Sequence, residues 1–299
     1  MLTEQDIVQM QETIQIIQKQ LEKINRKIEA DQPVENGERI VVYASTKNQY
    51  DKMETAAKSL LLTNEIDTVY FLTEDTTYPH KLPSCIKTID VSKYTWFEKD
   101  GPNYQSRWTW MPLMKLALHK ILPQHDRVLW LDTDTIVTGD ISSLFTKNLS
   151  GYYYAAVPET NIQLEYRYVG LSYPENTYII RSYPQFVPGE YYNSGCLLCN
   201  LKELKDGKGD ELIAKLNTNK YYFPDQDVIN INCRGQILSL PSQYNSAHYT
   251  ESTDNPKILH LSNCDGHPKF KDILEKYESV DWKWIFDRSA AKNVKLMEV

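Results

Sequence analysis

Apolar runs of strand length alternate with helix-period segments along most of this 299-residue chain, and that alternation most narrows its fold. Ile40–Ala44, 68–72, 86–91 and Arg127–Leu131 each read as a buried strand, while 51–64 and 110–122 carry helical spacing. Parallel strands need a long crossover, so this order predicts an α/β domain with a mostly parallel central sheet flanked by helices. Ligands of such sheets sit beyond the carboxyl ends of the strands. From residue 151 to 190 the pattern dissolves into Tyr, Pro and polar residues, which predicts a long loop over the site.

Residues 1–31 obey a different rule. Ile7, Met10, Ile14, Ile17, Leu21, Ile24 and Ile28 recur at alternating spacings of three and four, with no Gly or Pro between them. An apolar stripe on an otherwise polar helix must bury itself against another apolar stripe. The alternatives are a helix folded back on its own domain and a self-associating coiled coil, a dimer or a trimer; the spacing favours the coiled coil. Residues 32–37, with Pro33 and Gly37, break the helix and form a linker, leaving 38–299 as the main domain.

Composition removes several function classes. A net charge of -7 and the lack of any basic cluster argue against a nucleic-acid partner. No stretch approaches the roughly 20 apolar residues needed to span a bilayer, and the first residues have neither a basic start nor an apolar block. The five cysteines are irregularly spaced. Cys196 and Cys199 lie three apart on a predicted strand, so they face opposite sides and cannot share a metal. Buried reduced thiols and a cytoplasmic location are the expectation.

Arg127–Leu131 opens directly onto Asp132-Thr133-Asp134. Two carboxylates at the end of a buried strand repel each other unless a cation neutralises them, and Mg²⁺ or Mn²⁺ prefers such oxygen ligands. Two chemistries begin this way. In a haloacid-dehalogenase-type phosphatase Asp132 would be a nucleophile, but a later strand ending in paired acids is then required. The only later Asp-x-Asp pair, Asp225-Gln226-Asp227, follows Phe223-Pro224.

The second chemistry is glycosyl transfer. Residues 39–270 resemble glycosyltransferase family 8 in five ordered segments beside the Asp132-Thr133-Asp134 motif. These are Val41-Val42-Tyr43-Ala44-Ser45-Thr46-Lys47-Asn48-Gln49-Tyr50, Leu113-Met114-Lys115-Leu116, Tyr192-Asn193-Ser194-Gly195-Cys196, Asp225-Gln226-Asp227-Val228 and Ile258-Leu259-His260. The resemblance implies a GT-A (nucleotide-diphospho-sugar transferase) fold and a retaining hexosyltransferase. Its donor is a UDP-sugar, its cofactor Mn²⁺ or Mg²⁺, and its acceptor a glycan, lipid or protein. It assigns Ala44, Thr46 and Tyr50 to the nucleotide and Lys115 to the donor sugar and phosphates. Thr133, Asn193 and Ser194 join the donor site, and Asp225 and Gln226 lie beside the anomeric carbon. Asp132, Asp134 and His260 are the implied metal ligands. The last motif departs in register, with Asn263, Gly266, His267, Pro268, Lys269 and Phe270, so Lys269 takes the place of the diphosphate lysine.

Ordinary readings stand beside these. His260 in an apolar stretch suits a core histidine, Lys115 a solvated helix charge, Asn193-Ser194-Gly195 a turn, and Tyr50 plain packing. Trp108 and Trp110 suit an acceptor platform or simple packing, and the 21 Tyr suit sugar contact or half-buried strands. A non-catalytic nucleotide-sugar-binding assembly protein is the remaining alternative.

Overall fold

In the computed structural model, residues 4–30, 32–34, 37–104, 109–159, 190–247, 255–261, 268–283 and 285 are described. The central sheet holds β1 (Ile40–Ala44), β2 (Thr68–Thr73), β3 (Ile86–Asp90), β4 (Arg127–Leu131), β6 (Tyr154–Pro158), β7 (Tyr192–Asn200) and β8 (Ile237–Ser239). Their order is β3-β2-β1-β4-β7-β6-β8. The β3-β2-β1-β4 half is parallel, and β7 runs antiparallel to both β4 and β6. The predicted mostly parallel sheet is therefore correct, with β7 reversed so that its Asn193–Gly195 end lies beside the exit of β4.

Both faces of the sheet are covered, which explains why its strands read as continuous apolar runs rather than alternating ones. Ile40, Val42, Val128 and Trp130 face one core. Val41, Tyr43, Leu129 and Leu131 face the other, where Met53, Ala57 and Leu60 of α2 (Tyr50–Thr63) pack. Cys199 belongs to the first core and Cys196 to the second, so the two thiols do point apart. Cys85, Cys196, Cys199 and Cys233 are all free.

A second sheet is small and decisive. Immediately after Asp134, β5 (Thr135–Val137) pairs antiparallel with β10 (Ile258–His260), placing His260 opposite Thr135. On the far side of β10, β9 (Ser246–Ala247) pairs parallel, with His260 opposite Ala247. The Leu261 N–H donates to the Asp134 carbonyl at 2.8 Å. Chain segments more than a hundred residues apart are thereby locked in register.

Two local expectations need correction. Residues 110–122 are not one α-helix: Met111–Ala117 winds as a 3-10 helix and only Leu118–Ile121, α3, is α. Every residue from Leu113 to Ala117 is buried, so this segment keeps no solvent face of the kind an amphipathic helix needs. Residues 151–190 are not all loop, because β6 lies within them, its first four residues fully buried between β7 and β8. Pro158 ends β6, where a missing N–H costs no ladder bond. Residues 160–189 lie outside the described ones.

The predicted N-terminal helix is α1 (Glu4–Ala30), a single uninterrupted run. Met10, Ile14, Ile17, Leu21, Ile24 and Ile28 are all exposed, so this stripe is not folded back on the domain. The helix's C-terminal end is tied down: the Arg26 guanidinium lies over the Tyr152 ring, 6.0 Å from its centroid, Asn148 Nδ2 donates to the Glu29 carbonyl at 3.0 Å, and Ala30 is buried.

Candidate active site

The site lies where β1 and β4 end and β7 begins. Lys115, from the 3-10 segment, is 1% exposed, and its ammonium reaches into the middle of an acidic group. Its Nζ lies 2.6 Å from Asp225 Oδ2 and 3.0 Å from Asp132 Oδ1, and donates to Ser194 Oγ at 3.2 Å. It also sits over the Trp130 ring, 5.4 Å from the centroid. Burial alone would lower the Lys115 pKa, but the charges of Asp132 and Asp225 raise it above its ordinary 10.5. The solvated-charge reading of this lysine is thus excluded.

Asp132 and Asp134 emerge from β4 half exposed. The Trp130 Nε1–H donates to Asp132 Oδ1 at 2.7 Å, and the Asp132 N–H donates to the Gly195 carbonyl at 2.8 Å. Burial, together with the charge of Asp134, pushes the Asp132 carboxyl up against the opposing pull of Lys115. Burial acts the same way on Asp134, yet His260 outweighs it and brings that carboxyl below 3.8. His260 Nε2 lies 3.3 Å from Asp134 Oδ1, and the imidazole is buried. Burial lowers the His260 pKa, but Asp134 more than offsets this and raises it above 6.5.

One ligand atom from each of Asp132, Asp134 and His260 falls within 4.8 Å of the others. Two carboxylate oxygens and one imidazole nitrogen suit Mn²⁺ or Mg²⁺, and Lys115 alone cannot balance Asp132, Asp134 and Asp225. The residues present therefore fit a divalent cation.

β7 and the helix after it supply the opposite wall. The Ser194 N–H donates to Gln226 Oε1 at 3.0 Å, and Ser194 Oγ donates to Asp225 Oδ2 at 2.8 Å. Asp225 and Gln226 stand in the first turn of α5 (Pro224–Asn232), whose Pro224 occupies an end position where its missing N–H costs nothing. An acidic pair opening a helix is not the strand-end pair that a haloacid-dehalogenase phosphatase needs. The turn of α5 is fixed by Asp227, which stands in the Asp225-Gln226-Asp227 segment of the sequence but has no role assigned there. Its carboxylate accepts from the Tyr191 hydroxyl at 2.5 Å and from the N–H groups of Tyr222 and Phe223 at 3.0 and 2.9 Å. Burial pushes Asp227 up to about 6.

At the end of β1, Ala44 and Thr46 are nearly covered, and Thr46 Oγ1 donates to Asn48 Oδ1 at 2.6 Å. Tyr50 is 3% exposed, one side of its ring tilted against Tyr78 with centroids 4.8 Å apart. Thr133 is half exposed between the two acids. Trp110 stacks on Tyr104 at 5.7 Å, while Trp108 lies outside the described residues. Lys269 falls in α6 (Pro268–Glu278), and its side chain lies outside the described ones. Besides Asp227, the structure adds Trp130, Glu159 and Asn245, none of which stands in a motif. Glu159 accepts from Asn193 Nδ2 at 2.8 Å.

The fold is the one seen in GT-A glycosyltransferases. The solved structure of the galactosyltransferase LgtC in complex with donor and acceptor sugar analogs superposes with a TM-score of 0.62 at 18% identity, covering 82% of this chain and 98% of that one. The chain belongs to glycosyl transferase family 8, whose family model matches residues 8–263. A lipopolysaccharide 1,2-glucosyltransferase of Escherichia coli (strain K12) is 35% identical over 130 residues, 42% of this chain and 35% of that protein. Glycosyltransferase GlyE of Streptococcus pneumoniae serotype 4 (strain ATCC BAA-334 / TIGR4) is 25% identical, covering 87% of this chain and 66% of that protein. The chain thus spans less than two thirds of the length of these curated relatives.

Proposed function

We propose that this glycosyltransferase moves a hexose from a UDP-sugar to a glycan, lipid-linked or protein acceptor, with retention at the anomeric carbon and with Mn²⁺ or Mg²⁺ as cofactor. The observation that carries the reading is the convergence of Asp132, Asp134 and His260 within 4.8 Å, with the buried Lys115 ammonium 3.0 Å from Asp132. Bound there, the cation supplies positive charge for the diphosphate leaving group.

The chain's own residues do the rest. Ala44, Thr46 and Tyr50 line the nucleotide end, and Thr133 sits by the phosphates with Lys269 as a further candidate. Lys115, held charged by its carboxylate neighbours, stabilises the negative charge that builds on the departing UDP. Asn193, Ser194 and Asp225 bind and orient the sugar hydroxyls. Gln226 has its amide oxygen taken by the Ser194 N–H, so it presents donors rather than a nucleophile. A retaining glycosidase places a carboxylate beneath the sugar, and a glutamine there favours front-side attack instead, the acceptor's proton passing to a donor phosphate oxygen.

The exposed stripe of α1 is read as a self-association surface holding two or three copies in a coiled coil. Cysteines kept as thiols fit a reducing, cytoplasmic setting. Among the described residues no helix is long and apolar enough to cross a membrane.

The test is incubation with a panel of UDP-sugars and Mn²⁺, reading UDP release. Release that vanishes in Asp134→Ala is the expected result. No release from any common donor overturns the enzyme reading in favour of a nucleotide-sugar binder, and a covalent sugar adduct on a side chain overturns front-side attack.

A further inference from the structure

The polarity of one buried amide chain can be read without ambiguity, and it ends on His260. It starts from a group that can only donate: the backbone N–H of Gly195 donates to Asn193 Oδ1 at 2.8 Å. The other end of the same amide meets a group that only accepts when ionised, because Asn193 Nδ2 donates to Glu159 Oε2 at 2.8 Å. Asn193 is therefore fixed twice over, oxygen toward Asn245 and nitrogen toward Glu159.

Asn245 has no choice left. Its Nδ2 donates to Asn193 Oδ1 at 2.8 Å, which turns its own oxygen to His260. The facing ring atom, His260 Nδ1, lies 2.9 Å from Asn245 Oδ1 and must carry the proton that bond needs. In the neutral ring Nε2 is then the bare nitrogen. It is Nε2 that turns to Asp134, 3.3 Å from Oδ1. Asn245 is 5% exposed, so water does not compete for either of its ends. Its backbone is held as well, since β9 begins at the next residue and pairs with the strand carrying His260.

The geometry points to Asn245 as a positioning residue that sets the His260 tautomer for cation binding and ties the metal ligand to the sugar-side Asn193. A histidine ligand generally has its second nitrogen fixed by such a partner, which selects the tautomer and raises ligand strength. Here the partner is an amide that also spans to Asn193, so the cation ligand and the donor-sugar contact are held by one side chain. The inference rests on the proposed metal centre.

The test is Mn²⁺ binding to the purified full chain, read as free Mn²⁺ by electron paramagnetic resonance without any substrate. Asn245→Ala is expected to raise the Mn²⁺ Kd by roughly 10–100-fold, the usual loss for such a partner. Asn245→Asp keeps an acceptor for the Nδ1–H but turns a second acceptor on Asn193 Oδ1. It is expected to hold Mn²⁺ as wild type does, with KM for the UDP-sugar raised and kcat less affected. A wild-type Kd in Asn245→Ala overturns the inference while leaving the metal centre intact. So does an Asn245→Asp variant whose Mn²⁺ Kd rises roughly 10-fold or more above wild type, a result that stands even if the alanine variant fails to fold. Wild-type protein that takes up no Mn²⁺ refutes the metal centre itself, and this inference with it.

Discussion

Gly195 and His260 exclude any side chain at position 195: a Cβ there would stand 2.2 Å from Cε1 of the imidazole. The glycine is thus demanded by the ring that crosses it rather than by the backbone of β7. No flexible neighbour can yield, because the histidine is buried and its Nδ1 is held by Asn245. Gly195→Ala is expected to cost about 1–3 kcal/mol through overpacking and to push the imidazole away from Asp134. Calorimetric titration with Mn²⁺ checks this, and wild-type affinity in the variant would show that the ring tolerates the methyl group.

Lys115 joins the two acidic walls of the site, with Asp132 on one side and Asp225 on the other. Lys115→Met leaves both carboxylates without their cation. Breaking a buried pair by removing one partner costs about 3–5 kcal/mol, so the melting temperature of the metal-free protein falls. Added Mn²⁺ restores part of it, since positive charge returns beside Asp132. UDP release is lost in either case. A variant that melts like wild type would show that the ammonium is better solvated than its burial implies.

Asp227 gives the stability a pH dependence of known sign. Burial raises its pKa from 3.8 to about 6 in the folded protein. Its contribution is therefore complete below the unfolded value and is lost as pH rises through about 6, a change on the order of 3 kcal/mol. Asp227→Asn keeps an oxygen for the Tyr222 and Phe223 N–H groups and does not ionise. Thermal melts of the two proteins from pH 4 to pH 7 are expected to converge in acid and to separate toward neutrality, wild type becoming the less stable. Parallel curves would contradict the assignment.

Removal of residues 1–31 takes away the apolar stripe and little of the domain, because α1 touches the rest of the described chain only near its last turn. Light scattering is expected to show several copies for the full chain and single copies for the truncated one. Leu21→Glu, which charges the stripe, gives the same result with the chain intact. An unchanged mass refutes self-association through this helix.

Much of the site is legible in the sequence. Asp132, Asp134, His260, Lys115, Asn193, Ser194, Asp225 and Gln226 were all named from motifs, and the structure gathers them at one end of the sheet. Motifs record residues whose chemistry is fixed, so they survive as patterns. Trp130, Glu159 and Asn245 stand outside the motifs and Asp227 stands inside one without a role, because their parts are set by what they touch. Nothing in the run Gln243-Tyr244-Asn245-Ser246 marks the asparagine that holds the histidine.

The sequence by itself determined β1 to β4, the helical stripe and the acidic pair, since these depend on periodicity and on side chains near one another along the chain. Only tertiary structure decided that β10 pairs with β5, bringing His260 to Asp134 across more than a hundred residues. It also decided the charge of Lys115 and the raised pKa of Asp227. Register and burial arise between distant segments, and a one-dimensional pattern carries no distance between them.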